Sequence, residues 1–154
     1  MILQQVHGTC ATAVGGNCAG GPFNETHPCI VNVSGLVAEH FANHAQTSVF
    51  ETGYHIDDCE IRYSHGTGIG AHIQTNNYVH HMGQMGGGGG NGGLVDNNVF
   101  SNNNNLGYSQ GWECGGAKYV TGLGGVTVRN NVFQVSRTTS TLHCNDFSGT
   151  ATFF

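Results

Sequence analysis

The chain has 154 residues, of which only 8% are charged and just four are Lys or Arg, giving a formal charge of −5. So few cations cannot cluster on phosphate, which excludes nucleic acid as a partner, and the length supplies one domain without a second sizeable core. No apolar run approaches the roughly 20 residues a membrane helix needs, so no membrane partner is expected.

What remains is a polar, ordered chain. Low charge with 38% hydrophobic residues argues against disorder. The 26 Gly and 16 Asn are the residue types that tolerate left-handed backbone, so a fold rich in tight corners would consume both.

Residues 1–28 predict an irregular leader that disulfides would staple. Cys10, Cys18 and Cys29 fall at this end, with Cys59, Cys114 and Cys144 beyond it. Six cysteines allow up to three bridges in 15 connectivities, or else buried free thiols. Met1-Ile2-Leu3-Gln4-Gln5 lacks the positive start and apolar core of a secretory signal. The expectation is a piece of a longer extracellular or periplasmic protein. Asn24-Glu25-Thr26 and Asn32-Val33-Ser34 match the glycosylation acceptor pattern, which matters only in a eukaryotic secretory setting.

From residue 29 to 154 the pattern is a repeat. Thr75-Asn76-Asn77-Tyr78-Val79, Asp96-Asn97-Asn98-Val99-Phe100 and Arg129-Asn130-Asn131-Val132-Phe133 each set an Asn pair before two β-favouring residues. Asp57-Asp58-Cys59-Glu60-Ile61 is a weaker copy, and Ala38-Glu39-His40-Phe41 is read as an earlier one. Taking the second Asn or its counterpart as the mark gives positions 39, 59, 77, 98 and 131, in steps of 20, 18, 21 and 33. A period near 20 with a strand in each unit predicts a stacked solenoid. Alternation such as Val126-Thr127-Val128 describes strands with one face buried. Asn side chains stacked at equivalent corners can bond one another and the next winding. Asp58, one before its mark, falls where Asn76, Asn97 and Asn130 fall, so it reads as part of an Asx ladder. The 33-residue step predicts an insertion over residues 104–120, and the run from Gly86 to Gly90 reads as a flexible corner.

The stretches His65-Gly66-Thr67-Gly68-Ile69, Asn77 to Gly86 and Gly111 to Lys118 resemble the right-handed parallel β-helix repeat proteins of the pectate-lyase-like superfold. The resemblance covers roughly residues 33 to 134. It implies an all-β fold, a single-stranded right-handed parallel β-helix of about five coils, incomplete at one or both ends, in a family that is typically extracellular. That superfold hosts lyases, hydrolases, epimerases and non-catalytic members, so it does not fix an activity.

The candidate site is Tyr108 to Lys118, because insertions in solenoids often build the binding face. It holds the only Trp and the only Lys. Trp112, with Tyr108 and His80, would offer faces to a sugar ring. Chondroitinase-B-like and alginate lyases carry a metal-binding Glu with a catalytic Lys a few residues on, and Glu113, Lys118 and then Arg129 are similar to that arrangement. The resemblance implies that Ca²⁺ neutralises a uronate carboxylate, Lys118 removes the neighbouring proton, and an Arg or Tyr helps the leaving group. Asp96 is the candidate second acidic ligand. The plainer reading is a Trp packed over a coil edge beside a Glu113–Lys118 surface pair.

The acidic pair and His-Gly step of polygalacturonase-type hydrolases do not map here, since Asp58 and His65 are too close in sequence. His65, His80 and His81 with Cys59 lack zinc-motif spacing, and alternation would send His80 and His81 to opposite faces. The expected function is therefore a polysaccharide-active or polysaccharide-binding β-helix, with β-elimination by a uronate lyase as the candidate activity. The alternative is a non-catalytic segment with a structural, adhesive or glycan-binding role.

Overall fold

The computed structural model describes residues 31–44, 47–51, 53–89, 92–108, 115–120, 125–134, 145–148 and 151–153. The predicted leader, and with it Cys10, Cys18 and Cys29, lies outside them, as do Trp112, Glu113, Cys114 and Cys144.

Every described element is a strand. In chain order they are β1 (Val31–Ser34), β2 (Val37–Glu39), β3 (Ser48–Phe50), β4 (Tyr54–Asp57), β5 (Glu60–Arg62), β6 (Thr67–Ile69), β7 (Ile73–Thr75) and β8 (Tyr78–His80). There follow β9 (Met85–Gly89), β10 (Gly93–Asp96), β11 (Val99–Ser101), β12 (Gly115–Val120), β13 (Val126–Arg129), β14 (Val132–Phe133), β15 (Asn145–Ser148) and β16 (Ala151–Phe153). Each strand from β1 to β13 pairs in parallel with the third one after it. The result is three sheets, β1-β4-β7-β10-β13-β16, β2-β5-β8-β11-β14 and β3-β6-β9-β12-β15. This all-β stack of parallel sheets has the arrangement of a β-solenoid.

Register explains why the short strands hold. In the second sheet Ala38, Ile61, Val79, Phe100 and Phe133 are cross-strand neighbours facing inward. Ile61, Val79 and Phe100 are fully buried, and the rings of Phe100 and Phe133 stack at 5.2 Å. In the first sheet the inward column is Val33, Ile56, Gln74, Val95 and Val128. The buried Gln74 amide is satisfied there: Nε2 donates to Gly88 and Ala71 carbonyls at 2.7 and 2.9 Å, and Oε1 accepts from the Tyr119 hydroxyl at 3.2 Å. Burial without charge pushes that phenol's pKa far up.

The turn between the first two sheets is built from two Asx columns. Asp58, Asn76, Asn97 and Asn130 all hold left-handed backbone, with φ between 50° and 58°. The next residue points inward and forms the ladder. Asn98 Oδ1 accepts from both the backbone N–H and the Nδ2 of Asn77 at 2.9 Å, and Asn131 Oδ1 does the same for Asn98 at 2.8 and 3.0 Å. Cys59 occupies the ladder position one winding earlier. Its N–H donates to Asn77 Oδ1 at 3.0 Å, and its thiol faces the Asp57 carbonyl at 3.2 Å. It is a buried free thiol, so it takes no part in a disulfide framework.

Two sequence expectations need correction. The earliest repeat mark is Leu36, not Glu39. Glu60 N–H donates to the Leu36 carbonyl as Tyr78 donates to Cys59, and left-handed Gly35 stands where the later Asx residues stand. The Gly run is also not a flexible corner, because Met85–Gly89 is strand β9, buried over most of its length. A Cβ on Gly87 would lie 2.7 Å from the Phe100 ring and 2.7 Å from the Tyr119 hydroxyl. The large rings fill the space that side chains on β9 would need.

The insertion is narrower than residues 104–120, since Gly115–Val120 is part of the third sheet. Asn103 stands beside Met82, but Ala117 pairs with Gly87 and Val126 with Gly93. The added residues therefore fall between Asn103 and Gly115 and, fewer of them, between Val120 and Val126.

Candidate functional site

The second sheet turns into the third through a corner that repeats the logic of the first. His40, Tyr63, His81 and Asn102 each take left-handed backbone, with φ of 60°, 48°, 53° and 52°. Such a φ costs an L-residue roughly 1–2 kcal/mol, and here it delivers the following residue to the interior. Phe41, Ser64, Met82 and Asn103 are all buried. Ser64 Oγ accepts from the Phe41 N–H and Asn103 Oδ1 from the Met82 N–H, both at 3.1 Å.

Left outside is a column of rings. His40 and Tyr63 stack with centroids 5.9 Å apart, and Tyr63 and His81 lie 5.2 Å apart. Beside them is an open groove of about 460 Å³ whose lining includes His40, Tyr63, His65, His81 and Leu106. Tyr63 is 48% and Leu106 57% exposed, so the groove lining leaves apolar surface open to solvent. His65 donates Nδ1–H to the Asn43 carbonyl at 2.9 Å, so its Nε2 carries the lone pair.

The outer face of the second sheet supplies the charged groups. Glu60 and Arg62 flank inward Ile61, and Tyr78 and His80 flank inward Val79, in register. Arg62 donates Nε–H to Glu39 and Nη1–H to Glu60, both at 2.7 Å. Glu60 Oε1 also accepts from His80 Nε2 at 3.0 Å. The His80 and Arg62 donors hold the Glu60 carboxyl below its ordinary range. Because a carboxylate only accepts, His80 carries its proton on Nε2 and turns its Nδ1 lone pair to His81 Nδ1, 2.7 Å away. Tyr78 stacks on His80 at 4.2 Å.

Consecutive His80 and His81 thus meet rather than diverge. Strand alternation ends at His80, and the left-handed turn at His81 swings its ring back beside its neighbour.

Those of the residues singled out in the sequence that are described lie on different elements. His80 is at the corner just described. Tyr108 is half-buried after a turn in which Asn104 clasps it, Oδ1 accepting from Tyr108 N–H at 2.8 Å and Nδ2 donating to its carbonyl at 3.0 Å. Lys118 is on β12, half-buried between inward Ala117 and Tyr119. Arg129 ends β13 in a different sheet and is paired with Asp96, Nη2 to Oδ2 at 2.7 Å. Asn130 Nδ2 takes the other Asp96 oxygen at 2.9 Å, and these two donors, Arg129 first, lower its carboxyl pKa. The structure therefore does not bring Lys118 and Arg129 together, and Asp96 is a partner of Arg129. Trp112 and Glu113, the latter carrying the calcium reading, are outside the described residues. Among the described residues no group of three or more His, Cys, Asp or Glu is arranged to hold a metal ion.

Sequence reasoning missed Glu60, Arg62, Tyr63 and His81 as one cluster. The signal was present: His40, Tyr63, His81 and Asn102 recur with the same spacing as Leu36, Cys59, Asn77 and Asn98.

Comparison of the chain with protein-family models, with curated proteins and with solved structures finds no match.

Proposed function

We propose that this chain is a right-handed parallel β-helix of about five coils, working outside the cell or in the periplasm, that binds polysaccharide without cleaving it. The observation that carries the reading is the ring column of His40, Tyr63 and His81 beside the groove. Flat amphipathic faces repeated along a solenoid axis suit sugar rings, which are apolar on their faces and polar on their edges. The Glu39, Glu60 and Arg62 groups next to it offer edge hydrogen bonds. Local charge favours a neutral glycan over a uronate: one guanidinium is shared between two carboxylates, and the chain as a whole carries −5. The separate placement of Lys118 and Arg129 weighs against elimination chemistry by that pair.

The test is affinity electrophoresis or calorimetry of the purified chain against neutral and uronate polysaccharides, alongside ultraviolet absorbance for unsaturated products with and without Ca²⁺. Binding to a neutral polymer, weakened about tenfold or more in Tyr63→Ala with no absorbance rise, is the expected result. A Ca²⁺-dependent rise would replace this reading with a lyase. No binding to any polymer by chain with intact β-structure by circular dichroism would remove it.

A further inference from the structure

The groove beside the ring column carries its ionisable groups as histidines. We propose that it is an acid-gated binding site for a sulfate-bearing polysaccharide, in which His40, His65 and His81 acquire charge as the pH falls, His65 and His81 each turning an acceptor nitrogen into a donor. The inference rests on the reading that this groove binds glycan, and adds what it takes in acid.

Three observations support it. First, His40, His65 and His81 line one groove whose lining, among the described residues, holds no Lys, Arg, Asp or Glu. His40 and His65 are exposed and His81 is half-buried. Histidine is the side chain whose charge ordinarily changes between pH 5 and 8, so a lining with no fixed charge can gain three. Second, two of the rings are oriented so that the added proton lands where a ligand can meet it. His65 gives its Nδ1–H to the Asn43 carbonyl at 2.9 Å, and His81 gives its own to His80 Nδ1 at 2.7 Å, which leaves Nε2 of each as an acceptor. Neither bond breaks when Nε2 takes a proton, so each ring trades an acceptor for a cationic donor and keeps its orientation. Third, the surrounding charges favour an anion once the rings are protonated. Tyr63 and His80 face His81, with Tyr78, Glu60 and Arg62 behind His80. Tyr63 also faces His40, whose chain neighbour Glu39 is paired with Arg62. The bonds of His65 run to the uncharged Asn43 and Phe41 carbonyls. Glu39 and Glu60 share the Arg62 guanidinium, so one carboxylate charge stands there against three imidazoliums.

The whole chain follows the same sense. Its ten histidines outnumber its four Lys and Arg, and protonating all of them carries the formal charge from −5 to +5 while the carboxylates stay ionised. At neutral pH the two Nε2 atoms accept from sugar hydroxyls, which agrees with a neutral ligand. In acid they donate to anionic oxygens. Sulfate suits them because its charge does not titrate in this range and its spread oxygens meet separately placed N–H groups. Carboxylate and phosphate match the planar fork of arginine, and the fork of Arg62 is occupied by Glu39 and Glu60.

The experiment measures binding of the full chain to dextran sulfate by calorimetry at pH 7.5 and pH 5, at fixed ionic strength. Polygalacturonate and the neutral polymers of the preceding test run in parallel, with circular dichroism at both pH values. The wild type should bind dextran sulfate at least about tenfold more tightly at pH 5 than at pH 7.5. His65→Gln and His81→Asn keep an acceptor that cannot charge, the second also keeping the left-handed corner as Asn102 does. Each should lose part of that ratio, and the double variant most of it. His72→Gln, ahead of β7 and outside the groove lining, should keep it. A ratio near one in a wild type that binds a neutral polymer at pH 7.5 would overturn this inference and leave the glycan reading standing. No polymer bound at either pH would overturn both. A gain lost as fully in His72→Gln as in the double variant would overturn the site, because diffuse charge would then account for it. Polygalacturonate gaining as much as dextran sulfate would overturn the choice of sulfate.

Discussion

Asn98 sits directly on Asn77, its Oδ1 accepting two hydrogen bonds from that residue at 2.9 Å while its own Nδ2 donates to the Gln74 carbonyl at 2.8 Å. One buried amide thus serves three polar groups of the preceding winding that no water reaches.

Asn98→Ala should therefore cost about 1–3 kcal/mol for each buried group left without a partner. Asn97, one residue earlier, is an exposed left-handed corner, and Asn97→Gly should change stability by only a few tenths of that. Urea unfolding of the two variants checks the contrast. Equal losses would mean that the ladder is not what holds the corner.

Gly87→Ala should destabilise by about 1–3 kcal/mol, through overpacking against Phe100 and Tyr119. Adding Phe100→Leu in the same chain should recover part of the loss, because one of the two obstructing rings is gone. Gly35→Ala, where no atom lies within 4 Å, should cost only the strain of its φ of 67°. A double-mutant cycle reads the coupling, and strict additivity of Gly87 and Phe100 would contradict the packing account.

Cys59→Asn should stabilise the chain by about 0.5–1.5 kcal/mol. The amide would donate to the Asp57 carbonyl as Asn98 does to that of Asp96, and would offer Leu36 N–H an oxygen acceptor in place of the weaker Cys59 sulfur. Cys59→Ala should lower stability instead. Thermal unfolding of both, under reducing conditions, decides the sign.

Acid should loosen the first sheet at Asp57. Its carboxylate accepts from Thr75 Oγ1 at 2.6 Å and Asn76 Nδ2 at 2.8 Å, which lowers its pKa from the ordinary 3.8. A group whose folded pKa is depressed stabilises above its unfolded value, so the contribution is complete above about pH 4 and disappears as the pH falls below 3.8. Urea midpoints measured at pH 6 and pH 3 should therefore differ less in Asp57→Asn than in the wild type.

What could be read from the chain beforehand follows from which residues do their work through their own side chains. Asn76-Asn77, Asn97-Asn98 and Asn130-Asn131 announce the corner because Asn itself supplies both the left-handed turn and the ladder amide. In the first winding Gly35 and Leu36 do the same work with backbone alone, so the eye falls three residues late, on Glu39. The glycines of β9 deceive for another reason. Their place in a strand is set by Phe100 and Tyr119, distant in sequence, which need room rather than a local turn. The pairing of His80 with His81 was hidden by assuming that alternation continues one residue past the end of β8.

Asn98 and Asn131 remain bonded at 2.8 Å although 33 residues separate them, where Asn77 and Asn98 are separated by 21. The Asx joint closes identically whatever length of chain leaves and returns between its members. Asn103 and Gly115 therefore bracket a natural socket. A foreign recognition loop grafted between them should leave the joint untouched, and selection could exchange one surface loop for another there while the scaffold beneath stays the same.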